Sequence, residues 1–284
     1  MAAVDVITAA GVESKGIGLL IFIIGILVSL AVEGLTGYGL TWFRESRPAT
    51  KLWRIHDPKS VVVVASTAGE LLGGNNVLKP TTGVGQVRAV GWITQSLSKA
   101  YKEFDLDHVR LSDESIGHVA DRDLVLIGGR RTNSLTRQVR EMLEKNWEGI
   151  PRIEIVRDSG VDKAEVRAPI GPSHASYRVF RPSYESGPGD DETNEVVVDI
   201  GVIFRAPNPL NESNTVVILA GTHSEGTEGA AKYFVSELGS DHLLRDAEAF
   251  CCVIEVGVVA GTPKPTRVLY QQVLQRKDRE GSQG

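Results

Sequence analysis

The strongest constraint in this sequence is an uninterrupted apolar run near the amino terminus, Ile17–Val32, which contains no charged residue. Continued to about Tyr38, the run reaches the roughly 20 residues that a helix needs to cross a bilayer. Tyr38, Trp42 and Phe43 then form an aromatic belt of the kind found at membrane interfaces. We therefore predict a transmembrane helix over residues 17–38, with the lipid bilayer as a partner of the chain.

The charges on either side of this helix predict its orientation. One cation, Lys15, precedes the run, whereas the following segment carries Arg44, Arg47, Lys51, Arg54 and Lys59. Because cationic flanks stay on the cytoplasmic side, we expect residues 1–16 to form an extracytoplasmic tail. The predicted location is therefore the cell membrane, as a single-pass protein whose carboxyl-terminal domain is cytoplasmic.

Two alternatives fit the same run. Ser29, Leu30 and Ala31 form a small-x-small site of the kind that signal peptidase cleaves, and cleavage there predicts a secreted domain. Asp5 and Glu13 argue against a signal peptide, because its leading segment is normally basic. Burial of the run as a core helix is the second alternative.

Composition and charge narrow the classes of function. The chain has 284 residues, of which 42% are hydrophobic and 24% charged, as is ordinary for a globular protein with a sizeable core. A net charge of -5 gives no electrostatic case for nucleic acid as a partner. Cys251 and Cys252 are adjacent and lack CxxC spacing, so we expect buried free thiols and no metal site. The composition predicts neither a cofactor nor an oligomeric state.

After the membrane segment, the sequence predicts a basic juxtamembrane linker over 39–60, one α/β domain over 61–276 and a disordered tail over 277–284. The predicted strands are 61–65, 109–111, 124–127, 153–156, 196–205, 216–220, 250–259 and 267–273, and the predicted helices are 86–104, 134–145 and 227–238. Strands that alternate with helices favour a three-layer, Rossmann-like domain with a mainly parallel sheet. The polar, proline-rich stretch 157–195 predicts an antiparallel insertion.

Three loops that follow predicted strands have the composition of ligand-binding loops. The residues predicted to bind ligand are Ser66, Thr67 and Gly69 in the first loop, Gly128, Gly129, Arg130, Thr132 and Asn133 in the second, and Thr222 and Ser224 in the third. In open α/β sheets such loops lead into helix amino termini, whose N–H groups attract anions. Glycine permits close approach of a ligand, and arginine pairs with phosphate. The alternative is that these residue types serve turn geometry alone.

The third loop also contains His223 and Glu225, the residues predicted to carry any catalysis. An imidazole in such a loop can act as a general acid and base. The His-x-Glu spacing opens the zinc-deaminase signature, but the Pro-Cys-x-x-Cys partner is absent from the sequence. We therefore predict no metal.

Three segments carry a resemblance to a known group of domains: VVVVAST at 61–67, DLVLIGGRRTNSLTR at 123–137 and VVILAGTHSEGTEGAAKYF at 216–234. With these segments the domain resembles the Rossmann-like nucleotide-sensing or nucleotide-processing domains of prokaryotic conflict systems, the TIR-like and SLOG-like families. The resemblance implies a nucleotide ligand and fusion to a membrane segment. TIR-like NADases have a catalytic glutamate, and the resemblance gives that place to Glu225 or Glu228.

The sequence thus favours a membrane-anchored cytoplasmic sensor or effector that binds a nucleotide or a related anionic small molecule. A hydrolase acting on NAD or a nucleoside through His223 and Glu225 is one alternative. A structural or partner-binding membrane protein, whose loops serve only the fold, is the other. Whether the chain is an enzyme is left open by the sequence.

Overall fold

The computed structural model of the protein describes residues 49–72, 77–112, 117–158, 161–170, 176–186 and 194–277, which belong to a unit beginning at Pro48. The strands in these ranges are β1 (Val62–Ala65), β2 (Ala68–Leu72), β3 (Val77–Thr81), β4 (Val109–Leu111), β5 (Leu124–Ile127), β6 (Arg152–Asp158), β7 (Val161–Ile170), β8 (Ser176–Phe180), β9 (Ser183–Ser186), β10 (Asn194–Asn208), β11 (Asn211–Gly221), β12 (Phe250–Val259) and β13 (Thr262–Val273). The α-helices are α1 (Val84–Ala100), α2 (Ser134–Asn146), α3 (Ser224–Ser236) and α4 (His242–Asp246), and residues 49–53 are also helical.

A curled, mixed sheet of eight strands forms the centre of the fold. Its order is β13-β12-β10-β11-β5-β1-β4, and β9 pairs with β10. The strands β4, β1, β5 and β11 run parallel to one another, whereas β10 is antiparallel to both β11 and β12, and β13 is antiparallel to β12. A separate antiparallel sheet consists of β6, β7 and β8, and β2 pairs with β3 as a hairpin.

The prediction of a Rossmann-like domain with a mainly parallel sheet is wrong, because half of the sheet is antiparallel. Only Pro209 and Leu210 connect β10 to β11, and only Ala260 and Gly261 connect β12 to β13. Connections this short join antiparallel neighbours, since a parallel crossover needs a dozen or more residues. The described part of the predicted insertion, 157–195, contains the whole of β7, β8 and β9, each paired antiparallel with its neighbours.

The predicted transmembrane helix, residues 17–38, lies outside the described residues. In the ranges that the structure does describe, no helix is long and apolar enough to cross a bilayer. The longest of them, α1, has 17 residues and includes the cations Arg88 and Lys99. The predicted fold class, which included a membrane helix, is therefore corrected to a mixed α/β fold. The predicted single-pass membrane localisation is likewise not supported by the described residues.

The core lies on both faces of the central sheet, because alternate residues along each strand point to opposite faces. One face is covered by α1 and α3, which contribute the fully buried Ile93 and Phe234. On the other face, α2 contributes Val139 over the parallel half. The three-stranded sheet covers the antiparallel half, where Val166 packs against Ile200. Adjacent residues Cys251 and Cys252 on β12 are buried and free, as the sequence predicts.

Arg205 on β10 is a buried cation that connects the antiparallel half of the sheet to two helix ends. Its guanidinium donates to the backbone oxygen of Leu52 at 2.6 Å, and to those of Leu244 and Arg245 at 3.2 Å and of Ala247. Carbonyl groups at helix carboxyl termini carry partial negative charge, so they take the place of a carboxylate partner. Burial lowers the pKa of Arg205 to about 9, which leaves the side chain charged at neutral pH.

Replacing this arginine tests whether those contacts hold the helix ends in place. Arg205→Met keeps an unbranched apolar stem but removes the guanidinium and with it every donor. We expect the free energy of unfolding to fall by about 3 kcal/mol or more, because each buried acceptor left unpaired costs about 1–3 kcal/mol. Urea denaturation followed by circular dichroism measures the change. The matched control Arg178→Met, at an exposed position on β8, should stay within about 0.5 kcal/mol of the parent. Equal stabilities of the two variants contradict the role of Arg205.

Candidate functional site

A cavity of about 400 Å³ lies at the carboxyl ends of the adjacent parallel strands β5 and β11. Its walls come from the loop after β5, from the loop that leads into α3 and from one face of β6 and β7. The predicted site residues that line it are Gly129, Arg130, Thr132, Thr222, His223 and Ser224. The second and third predicted loops therefore face each other across one cavity.

Asn133, which was predicted to bind ligand, uses its side chain within the fold. It is fully buried, and its amide nitrogen donates to the backbone oxygens of Val64 at 3.2 Å and Ile127 at 3.3 Å. Its amide oxygen accepts from the backbone N–H of Thr136 at 3.1 Å, which caps α2. Asn133 thus joins β1, β5 and α2 and does not line the cavity.

The first predicted loop also serves the fold. Ser66 is buried, and a Cβ placed on Gly128 would lie 2.5 Å from its hydroxyl oxygen. Gly128 has a φ of 101°, a conformation that side chains other than glycine rarely adopt. The hydroxyl of Thr67 lies 2.9 Å from that of Ser112, and Gly69 pairs with the hairpin strand β3. None of these four predicted residues lines the cavity.

The centre of the site is a residue that sequence reasoning missed, the fully buried Asp199 on β10. Its Oδ1 atom accepts from the backbone N–H of Ile200 at 2.8 Å and from the hydroxyl of Thr222, and lies 3.1 Å from Nδ1 of His223. Its Oδ2 atom accepts from the backbone N–H of His223 at 3.2 Å and from that of Gly226. One carboxylate therefore receives donors from its own strand, from the loop and from α3.

A signal for this residue does exist in the sequence. Asp199 is the only charged residue in the apolar run Val196–Phe204. A carboxylate inside a buried strand is tolerated only where donors surround it, so an isolated aspartate in such a run marks a place where other elements converge.

The contacts of Asp199 also change the interpretation of α3. The amino terminus of this helix was expected to attract an anionic ligand, but Asp199 already accepts two of its N–H groups. A Cβ placed on Gly226 would lie 2.6 Å from Oδ2 of Asp199, so the helix can start here only with glycine at that position. The positive end of the α3 dipole is thus compensated by a carboxylate of the protein itself.

His223 is oriented by Asp199 on one side and meets Tyr184 on the other. A carboxylate only accepts hydrogen bonds, so Nδ1 of the imidazole carries the proton. In the neutral ring Nε2 is then an acceptor, and it lies 3.2 Å from the phenol oxygen of Tyr184. The two rings meet edge to face with centroids 5.6 Å apart. Tyr184 lies in the polar stretch that carries no motif, which is why the sequence did not single it out.

Asp199 and burial of the ring shift the pKa of His223 in opposite directions. The hydrogen bond with Asp199 raises the pKa above its ordinary value of 6.5, although burial of the ring acts to lower it. Burial and the nearby charge of Asp199 raise the pKa of the Tyr184 phenol. At neutral pH the phenol therefore keeps its proton and is the donor in its contact with Nε2 of His223.

The two glutamates considered for catalysis bind other side chains. Ser224 donates its hydroxyl to Oε2 of Glu225 at 2.9 Å. Glu228 is nearly buried, which raises its pKa, and it pairs with Arg88 at 3.5 Å. Neither carboxylate lines the cavity. Among the residues that the structure describes, no group of three or more His, Cys, Asp and Glu side chains is placed to hold a metal ion.

Comparison with known proteins adds no family to this geometry. No protein family matches the chain, and no curated protein is significantly similar to it. The resemblance to TIR-like and SLOG-like domains stays a prediction from the three motifs.

Substitutions at Asn133 separate a role in the fold from a role in ligand binding. Asn133→Ala should lower the free energy of unfolding by about 2–3 kcal/mol, since it removes a helix cap and leaves two buried carbonyl groups unpaired. Asn133→Ser keeps a capping oxygen and should lose less. Chemical denaturation measures both, with Thr132→Ala as the neighbouring control, expected within about 0.5 kcal/mol. Unchanged stability in Asn133→Ala would contradict the structural role.

Proposed function

We propose that the cavity binds a small molecule that carries a phosphate group, and that its ligand is a nucleotide. The observation that carries this proposal is the position of Arg130 and Arg131, which lie on the loop after β5 and line the cavity opposite Thr222 and Ser224. A guanidinium matches the oxygens of a phosphate and forms two parallel hydrogen bonds with them. The hydroxyls of Thr222 and Ser224 across the cavity donate to Asp199 and Glu225, so their oxygens are left to accept hydrogen bonds from the hydroxyls of a ribose.

The remaining wall is apolar and suits the base of a nucleotide. Ile153, Ile155 and Ala164 lie on one face of β6 and β7 and border the same cavity. Ligand sites combine an apolar lining with a few convergent polar groups, within volumes of roughly 300–1,000 Å³. A cavity of about 400 Å³ therefore has room for one nucleotide, with its base on this wall and its phosphate at the arginines.

A second candidate function is hydrolysis of the bound nucleotide or nucleoside derivative. The contact between Asp199 and His223 supports it, because a carboxylate that fixes the ring leaves Nε2 available as a general base. His223 lines the cavity, so its imidazole can reach a ligand there. On this geometry His223 carries the chemistry, whereas Glu225 binds the hydroxyl of Ser224 and its charge helps to raise the pKa of His223.

A thermal-shift panel tests the binding proposal on the full chain. We expect one class among mononucleotides, dinucleotides and cyclic nucleotides, at millimolar concentration, to raise the midpoint by about 5–10 °C. Ligand at 100 times its dissociation constant contributes about 2.7 kcal/mol, and each kcal/mol shifts the midpoint by about 2–4 °C. The double substitution Arg130→Ala, Arg131→Ala should abolish the shift and leave the ligand-free midpoint unchanged. Arg178→Ala, which removes a cation from β8, is the matched control and should retain the shift.

The same samples separate the proposed functions. Chromatography of the nucleotides after incubation shows turnover, and loss of turnover in His223→Ala with binding retained supports hydrolysis. If no compound raises the midpoint, the nucleotide proposal is wrong and a partner-binding role is favoured.

A further inference from the structure

Tyr184 lies between two cavities. The second cavity has a volume of about 430 Å³ and is lined by Tyr184 together with Lys163, Glu165 and Arg181. Ala164 borders both cavities. The phenol of Tyr184 thus borders the second cavity while it contacts His223, which lines the first.

The three side chains at this point have the arrangement of an activated nucleophile. The hydroxyl of Tyr184 lies 3.2 Å from Nε2 of His223, and Nδ1 of His223 lies 3.1 Å from Asp199. A hydroxyl within hydrogen-bond reach of a base that is itself oriented by a third group is the geometric mark of nucleophilic catalysis. In this arrangement a phenol takes the place that serine has in hydrolase triads.

We infer that Tyr184 is a nucleophile, activated by His223 and Asp199, that attacks the phosphorus of a nucleotide ester or anhydride bound across the two cavities. This inference rests on the proposed nucleotide ligand and on the hydrolytic candidate function. It assigns to the site a covalent tyrosyl phosphoester as the intermediate.

The reaction balances with the groups present and water. The phenol oxygen forms a bond to phosphorus, its proton passes to Nε2 of His223, and the bond from phosphorus to the leaving oxygen breaks. His223 then returns the proton to the leaving oxygen. In the second step water, deprotonated by His223, attacks phosphorus and releases Tyr184, which recovers its proton. The net reaction is hydrolysis of one phosphorus–oxygen bond.

The second cavity supplies an anchored cation next to the nucleophile. Nε of Arg181 binds Glu165 at 2.8 Å, and Nε of Arg167 binds the other oxygen of Glu165 at 2.7 Å. Burial acts to raise the pKa of Glu165, but the hydrogen bonds from the two arginines outweigh it and lower the pKa. The carboxylate therefore stays charged and anchors Arg181, which lines the same cavity as Tyr184 and can stabilise the negative charge that develops on the phosphorus oxygens.

Sulfonyl fluorides test the nucleophile directly, because an activated phenol forms a bond to sulfur and expels fluoride while the base takes the proton. Two probes are applied to the full chain: phenylmethylsulfonyl fluoride, which has no nucleotide part, and 5′-(4-fluorosulfonylbenzoyl)adenosine. Peptide mass spectrometry gives the rate of modification at Tyr184 and at Tyr177. Tyr177 on β8 is the internal control, since its exposure of 42% matches the 37% of Tyr184.

We expect Tyr184 to react at least tenfold faster than Tyr177 with both probes. His223→Gln should reduce the rate at Tyr184 to that at Tyr177, and an unchanged circular dichroism spectrum reports that the variant is folded. Tyr184→Phe should lose the adduct and retain the thermal shift with nucleotides. The comparison within the parent protein needs no variant, so it stands even where a substitution prevents folding.

The outcomes that overturn the inference are distinct from those that overturn nucleotide binding. Equal rates at the two tyrosines overturn the inference, and they leave the nucleotide proposal standing wherever the thermal shift is observed. Acceleration by the adenosine probe alone, unchanged in His223→Gln, shows that binding brings the probe near a phenol that is not activated, and it also overturns the inference. Acceleration by both probes without any nucleotide shift retains the activated tyrosine and overturns the nucleotide assignment.

Discussion

The buried carboxylate of Asp199 on β10 is the constraint on which the site depends. Asp199 is fully buried, and a buried carboxylate is stable only when donors surround it. The donors come from the backbone of Ile200, from the loop at Thr222 and His223, and from α3 at Gly226. Satisfying this one side chain therefore fixes the start of α3, the path of the loop after β11 and the orientation of the imidazole.

The antiparallel half of the sheet is what brings Asp199 to this position. In the pairing of β10 with β11, Gly201 lies opposite Gly221, the last residue of β11. Asp199 is two residues further along β10, so it lies beyond the end of β11 and under the loop that follows. A parallel neighbour would end where β11 ends and would pass into a loop there. Because β10 is antiparallel to β11, the residues of β10 that lie beyond the end of β11 are still part of a strand. The topology that the sequence did not predict is thus the one that builds the site.

How much the sequence predicts depends on how local the determining contacts are. Short continuous apolar runs gave the bounds of Leu124–Ile127 and Phe250–Val259 as observed, because short runs rich in β-branched residues are typical of strands buried on both faces. Strand direction is decided by connections and by pairing between distant segments, so the mainly parallel sheet was predicted wrongly. The loop residues Arg130 and His223 were identified by composition at strand ends, and the structure places both at one cavity. Asn133 has the same residue chemistry as a ligand contact, and only its burial shows that it binds backbone instead.

The central claim is that Asp199 holds His223 as the tautomer protonated at Nδ1, with Nε2 facing Tyr184. Long-range ¹H–¹⁵N correlation spectra of the full chain, labelled at histidine, report the tautomer and follow its titration. The structure predicts a proton on Nδ1 at neutral pH and a pKa above 6.5, which falls in Asp199→Asn. A raised folded-state pKa means that this contact stabilises the fold below pH of about 6.5 and that the contribution is lost as pH rises through the folded value. A proton on Nε2, or a His223 pKa below 6.5 that Asp199→Asn leaves unchanged, would contradict the role given to Asp199.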